Sequence, residues 1–177
     1  YEFADGICLE QPESNADFYE SAIAFGRFQE LLKDFPAETL HETIPMFHNT
    51  INRYRLFKKA LEENRSGRAS LAADEIAFLM AREAEAGTIC ELLESGELPL
   101  RVTHNDTKLN NVLLDRTTRK ALCVLDLDTV MPGSSLYDFG DSIRFGAATA
   151  VEDEPDLSRM QLDLERFHVY TAGYLTA

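Results

Sequence analysis

Two apolar runs of strand length, Val112-Leu113-Leu114 and Leu122-Cys123-Val124-Leu125, are separated by one polar connection, Asp115 to Lys120. No other feature constrains the chain more, because a short polar link between two such runs folds back as a hairpin. The start of the first strand then lies beside the end of the second. Both of those places are crowded with polar side chains. His104-Asn105-Asp106-Thr107-Lys108-Leu109-Asn110-Asn111 leads into the first strand, and Asp126-Leu127-Asp128-Thr129 follows the second. Asn111 and Asp126 are therefore expected as spatial neighbours, with Asp106 one loop further out.

Carboxylates and an amide oxygen converging at one end of a sheet make a hard, all-oxygen site. Mg²⁺ takes such ligands and commonly keeps waters and phosphates as its others. A further carboxylate that the metal does not need can orient a hydroxyl and accept its proton. Each residue also has a plain structural reading. Asp106 could form a turn, Asn111 could satisfy loop backbone, and Asp126 could cap a strand end. Their coincidence in one register favours the site over three separate structural roles.

The rest of the chain reads as mostly helical, so the fold class is α+β with one small hairpin. Tyr1-Glu2-Phe3 is extended and a turn follows at Asp5-Gly6. Ser14 and Asp17 have the spacing of a helix start. Phe18, Ala22, Phe25, Gln29 and Leu32 continue at helical spacing with one polar exception, and Pro36 stops that helix. A second helix is expected over Asn49 to Leu61, with a basic face of Arg53, Arg55, Lys58 and Lys59 in solvent. A third is expected over Leu71 to Leu93, with Gly87 as a weak point. Val102-Thr103 is short and extended, and Pro132 to Ser135 is a turn. Asp138-Phe139-Gly140 reads as a helix start, with Asp138 or Asp141 as cap and Arg144 as charge partner. A last helix runs from Leu157 to Tyr174, and the acidic run Glu152 to Asp156 reads as a solvated loop.

Composition narrows the partners. The formal charge of −14 disfavours a phosphate backbone, so no nucleic-acid partner is expected. No apolar run approaches the roughly 18 residues of a membrane span, and no signal sequence is evident. Cys8, Cys90 and Cys123 are odd in number and widely spaced, which fits a reducing cytoplasm better than a disulfide framework. His41, His48 and His168 share no metal-ligand spacing. No G-x-S-x-G nucleophile elbow is present, nor a Cys/Ser-x-Pro-x-Arg run.

The spacing H-x-D-x-x-x-x-N, here His104, Asp106 and Asn111, is that of kinase catalytic loops. With Val124-Leu125-Asp126-Leu127-Asp128-Thr129-Val130-Met131-Pro132-Gly133 and Tyr137-Asp138-Phe139-Gly140-Asp141-Ser142-Ile143-Arg144, it resembles the aminoglycoside phosphotransferase/choline kinase superfamily. Within it, the wording of the loops is nearest to the N-acetylhexosamine 1-kinases. The resemblance is carried by about Arg101 to Ala147; the first hundred residues fit more loosely.

That resemblance implies a protein-kinase-like C-terminal lobe over residues 13–177, with residues 1–12 as a hinge remnant. It implies ATP and Mg²⁺ as cofactors and a small-molecule sugar as substrate. Asp106 would be the base or orienting group for the acceptor hydroxyl. Asn111 and Asp126 would hold Mg²⁺, Asp128 would serve a second metal or substrate, and His104 would support the loop. Tyr1 and Phe3 would pass the adenine edge. The chain departs from the family in having no Gly-rich loop and no phosphate-gripping Lys on a strand; Lys33, Lys58, Lys59 and Lys120 lie in helical or turn contexts. An N-terminal nucleotide lobe is thus expected to be missing, the C-terminal lobe to continue further, and the isolated 177 residues to be nearly inactive. An aminoglycoside- or choline-type kinase, and a non-catalytic kinase-like binding module, stand as alternatives.

Overall fold

The computed structural model describes residues 3–177. The chain divides into two compact units, one of residues 3–43 with 101–177 and one of residues 44–100.

The first unit is built on helix α1 (Asn15–Leu31). Ser14 caps it: the hydroxyl accepts from Asp17 N at 3.3 Å and donates to Asp17 Oδ2 at 2.8 Å. The helix ends at Leu31, before Pro36 is reached, because the chain tightens into turns closed by Lys33 N to Glu30 O and Phe35 N to Leu32 O. Proline therefore bounds the helix without being its last residue.

Strand β1 (Arg101–Thr103) precedes the polar loop, and β2 (Val112–Leu114) follows it. β2 pairs antiparallel with β3 (Ala121–Val124) in the register Val112↔Val124, with an irregularity near Leu114. The expected hairpin is present. Its connection is an Asx-type turn in which Asp115 Oδ1 accepts from Thr117 N, Thr118 N and Thr118 Oγ1. Ile7 bonds to Leu114 on the far side of β2, so the N-terminal segment adds a bridge to this sheet.

Pro132 to Ser135 is not simply a turn. Met131–Gly133 forms strand β4, which pairs with β1 through Val102↔Pro132. Proline is tolerated because the sheet has two strands and β4 needs a partner on one side alone. Helix α6 (Ser135–Gly146) follows, capped by Ser134, whose Oγ accepts from Leu136 N at 3.2 Å. The expected cap, Asp138 or Asp141, is thereby corrected: both lie inside the helix. Arg144 does pair with Asp141, at 2.8 Å. The final helix is shorter than its periodicity. Leu157–Arg159 is a separate 3-10 turn, Leu162 bridges to Ala148, and α7 (Leu164–Thr176) starts at the Asp163 cap.

Two apolar clusters hold this unit. Leu9, Ala24, Phe25, Leu109, Val112 and Leu114 join α1 to the inner face of the hairpin. Phe18, Ala22, Ala147 and Tyr170 join α1 to α6 and α7. At Gly173 the two helices approach so closely that an added Cβ would lie 2.7 Å from Tyr19 O and 2.8 Å from Ala22 Cβ. Charged contacts bind the hairpin turn to α1. Arg119 Nε reaches buried Asp17 at 2.9 Å, and Lys120 Nζ reaches Glu20 at 2.5 Å.

The second unit is helical. It contains α2 (Thr50–Glu63), capped by Asn49 and closed by Asn64 in the left-handed region. The expected continuous third helix is broken into α3 (Ala73–Met80), α4 (Glu83–Ala86) and α5 (Thr88–Glu94). Gly87 marks one break, as expected. The other falls at Ala81-Arg82, where Arg82 N turns back to Leu79 O. On the basic face of α2, Lys58 pairs with Glu83 and Lys59 with Glu63. Among the described residues, no helix is long and apolar enough to cross a membrane.

Candidate active site

The polar loop between β1 and β2 lies in the first unit and is fixed from three sides. The first is α6. Asp138, 1% exposed, receives the backbone N–H of His104 on Oδ2 at 2.9 Å and that of Asn105 on Oδ1 at 2.8 Å. One turn on, Asp141 Oδ2 accepts from Thr107 N at 2.9 Å. Thr107 Oγ1 donates to Asp138 O at 2.6 Å, and Ser142 Oγ donates to Thr107 O at 2.8 Å. The three backbone N–H groups have no strand to pair with, and the carboxylates of α6 supply their acceptors.

The second side is the strand end that carries the later acidic residues. His104 is fully buried, with Phe25 and Phe28 presenting ring contacts at 5.4 and 5.8 Å. Its Nε2 lies 2.8 Å from Leu125 O. A carbonyl can only accept, so Nε2 carries the proton and Nδ1 is the acceptor facing Asp106 N at 3.4 Å. Leu125 N in turn donates to Asn111 O at 2.8 Å. Leu125, just before Asp126, is thus held at its carbonyl by His104 and at its N–H by Asn111. This is a supporting geometry for His104.

The third side is the turn after that strand. Asn105, in the left-handed region at φ 67°, donates Nδ2 to Thr129 O at 2.8 Å, and Thr129 Oγ1 donates to His104 O at 2.7 Å.

Within this frame Asn111 donates Nδ2 to Asp106 O at 2.8 Å and to Asp106 Oδ2 at 3.1 Å. Lys108 Nζ stands 3.4 Å from the other carboxylate oxygen, Oδ1. Asp106 and Asn111 are thus brought together directly. Asp126 follows the bonded Leu125–Asn111 pair. It is exposed, adopts φ 56° and makes no capping bond to the 3-10 turn of Leu127–Thr129. A non-glycine residue in that region is held by its surroundings, and such strain gathers at functional positions. Asp128 is exposed on that 3-10 turn, and its backbone carbonyl accepts from Thr43 Oγ1 at 3.4 Å. Phe3 is 88% exposed and lies in no element; Tyr1 falls outside the described residues.

The donor set fits Mg²⁺. Because Asn111 Nδ2 is committed to Asp106, its carbonyl oxygen Oδ1, the atom a hard cation takes, lies outside those bonds. Asp126 adds an exposed carboxylate that its own turn does not use. Among the described residues, no three His, Cys, Asp or Glu side chains form a closed metal cage. An open site of this kind leaves positions for phosphate oxygens and water.

Two parts of the site escaped sequence reasoning. Lys108, two residues after Asp106, lies in a loop and not on the strand where a phosphate-gripping Lys is expected. Asp138 is a loop acceptor and not a cap, and Asp-Phe-Gly-Asp at helix spacing is the signal that offers two carboxylates to one loop. Burial raises the Asp138 carboxyl to about 6, against the lowering effect of the His104 and Asn105 amides.

A β1–loop–hairpin unit backed by α1, α6 and α7, with Asp, Asn and Asp at one end, is the C-terminal lobe of a protein-kinase-like fold. The sequence model of the phosphotransferase enzyme family (APH) matches residues 1–171, and the chain belongs to that family. A Plasmodium vivax ethanolamine kinase superposes with a TM-score of 0.56 at 17% identity, covering 99% of this chain and 49% of that one. An aminoglycoside-3'-phosphotransferase of type VIII gives 0.48 at 19% identity, covering 98% and 58%. The chain spans about half the length of the ethanolamine kinase it matches.

Proposed function

We propose that this chain carries the catalytic loop and metal end of an ATP-dependent phosphotransferase whose acceptor is a small-molecule hydroxyl, the anomeric hydroxyl of an N-acetylhexosamine. The observation that carries the reading is the Asn111–Asp106 pair with Lys108 beside it. Asp106 orients the acceptor hydroxyl and takes its proton as the oxygen attacks. Lys108 places a positive charge 3.4 Å from that carboxylate, near the phosphoryl group that would carry the negative charge during transfer. Asn111 holds Asp106 in one orientation and turns its own Oδ1 toward the cation side. In this reading Asp126, exposed just after the Leu125–Asn111 backbone bond, is the second ligand of that cation. When bound, Mg²⁺ supplies charge neutralisation on the ATP phosphates. Asp128 serves a second cation or the substrate.

Membership of the phosphotransferase family supports the reaction class. The choice of acceptor rests on the wording of the three loops between His104 and Arg144. In this reading residues 1–12, with Tyr1 and Phe3 near the adenine, connect residues 13–177 to a second lobe that covers the nucleotide.

The test is phosphorus NMR of these residues joined to the nucleotide-covering lobe that the reading requires, with ATP, Mg²⁺ and a panel of N-acetylglucosamine, N-acetylgalactosamine, an aminoglycoside, choline and ethanolamine. A sugar-1-phosphate resonance that disappears in Asp106→Asn is the expected result. Phosphorylation of an amino alcohol or aminoglycoside instead would keep the kinase and overturn the sugar. ATP binding without transfer to any acceptor would do the same for this substrate class, and absence of both would favour a non-catalytic module.

A further inference from the structure

Gln29 was the polar exception on the apolar stripe of α1, and the reaction as described does not use it. It is 7% exposed. Its Nε2 donates to Val102 O at 2.9 Å and to Asp138 Oδ2 at 2.9 Å, so one side-chain amide joins the strand that enters the catalytic loop to the carboxylate that receives the loop's N–H groups. Its own Oε1 is buried without a partner. An unpaired buried acceptor costs about 1–3 kcal/mol. A residue selected for packing alone would be Leu or Met here, at no such cost. Reversing the amide does not relieve it, because an oxygen would then face Val102 O and the Asp138 carboxylate.

We propose that Gln29 is a positioning residue that holds Asp138 as the ionised acceptor required by the His104 and Asn105 amides, and thereby sets the pH below which the catalytic loop loses its shape. The proposal rests on the kinase reading above only for its effect on turnover. Asp138 Oδ2 receives Gln29 and His104, and Oδ1 receives Asn105. An ionised carboxylate accepts all three, whereas a protonated one must turn a hydrogen toward one of these donors.

The other groups around Asp138 do not replace the Gln29 bond. From the loop comes His104. From α7 come Tyr170, whose OH is spent on Ser142 Oγ at 2.6 Å, and Tyr174, whose buried OH makes no hydrogen bond to Asp138. Arg101 of β1 acts on Tyr174 and donates to Gln29 O at 3.0 Å, from the backbone side. On α6 itself, Asp141 is taken by Thr107 N and Arg144. Gln29 is thus the neutral side-chain donor that favours the charged form. Burial already pushes this carboxyl up to about 6, so loss of one donor would carry its midpoint toward neutrality.

The experiment is a pH titration of the His104 and Asn105 amide resonances by ¹H–¹⁵N NMR, on the wild type, Gln29→Met, Gln29→Leu and Asp138→Asn. Amide protons bonded to a carboxylate report its ionisation directly. We expect a wild-type midpoint near 6. We expect it about one pH unit higher in both Gln29 variants, the equivalent of one charge-assisted bond. The step should be absent in Asp138→Asn. Gln29→Met keeps the volume and removes the unpaired oxygen, so the fold is expected to persist. Unchanged midpoints in a folded Gln29→Met overturn the proposal whatever the enzyme does. The kinetic readout is the acid limb of kcat against pH, which should move up by the same amount. Shifted amides with no turnover in any variant would leave Gln29 in its role and remove the kinase reading instead. Shifted amides with an acid limb that stays in place overturn the effect on the loop.

Discussion

Asn111 Nδ2 bonds both the backbone carbonyl and the carboxylate of Asp106, at 2.8 and 3.1 Å, although the two residues are separated by a loop of four. One amide therefore fixes the orientation of the proposed base and, in doing so, presents its own oxygen to the cation side. This predicts two separable kinetic defects. Asp106→Ala should lower kcat about 10²- to 10⁴-fold, the usual worth of a positioned acid–base group. Asn111→Ala should lower kcat and also raise the Mg²⁺ concentration for half-maximal rate, on the order of tenfold or more. Initial rates over a Mg²⁺ series check this. A kcat loss in Asn111→Ala with an unchanged Mg²⁺ requirement would confine Asn111 to loop support.

Asp138 predicts an unusual pH dependence of stability. Its folded carboxyl is raised from 3.8 to about 6 by burial. Between those values the folded protein keeps a proton that the unfolded chain releases, so unfolding becomes easier as pH rises. The contribution is fully present below pH 3.8 and lost as pH passes about 6. From pH 7 to pH 4, the wild type should gain up to about 3 kcal/mol relative to Asp138→Asn. Urea unfolding of both proteins across that range measures the gap; a constant gap would contradict the burial of this carboxyl. The loop needs the ionised form that the fold disfavours, a familiar trade between stability and function.

Arg119 and Asp17 carry the opposite sign. The Arg119 hydrogen bond holds the Asp17 carboxyl below its ordinary 3.8. Stability from this pair is present above pH 3.8 and is lost as pH falls through the lowered value. Arg119→Ala leaves Asp17, 2% exposed, without its cation. Arg119 is itself partly exposed, so water softens the loss, and a modest fall in the unfolding midpoint at pH 7 is expected. That deficit should shrink in acid. Denaturant unfolding at pH 7 and pH 3 tests both parts.

Gly173→Ala sets helix propensity against packing. Ala would gain up to about 1 kcal/mol in a helix interior. The new Cβ would meet Tyr19 O at 2.7 Å, a backbone atom that cannot swing away. Overpacking of that kind costs about 1–3 kcal/mol, so the net effect should be destabilising. A thermal melt with a lowered midpoint is the expected outcome, and an unchanged or raised one would mean that α1 and α7 can separate freely.

The hairpin was legible because its signals are local: two apolar runs, a polar six-residue link and an Asp that accepts from the turn residues following it. The Ser14 cap was legible for the same reason, since it acts on a backbone N–H three residues away. Strand β4 was not, because Met131-Pro132-Gly133 has poor strand chemistry and pairs only where β1 is brought to it. The break at Ala81-Arg82 was hidden because neither residue is a Gly or Pro that would mark it.

Which groups could do chemistry follows from local spacing alone. His104, Asp106, Asn111 and Asp126 stand at spacings that a hairpin must draw together, whatever surrounds it. Only the tertiary structure decided how they are held. Asp138 reaches the His104 and Asn105 amides from positions 34 and 33 residues away, and Gln29 reaches Asp138 from 109 away. The reason is physical. A hydrogen bond between residues near in sequence is set by backbone periodicity, which can be read residue by residue. A bond across the core depends on how helices pack, and that is fixed by the summed burial of many side chains, none of which names its partner.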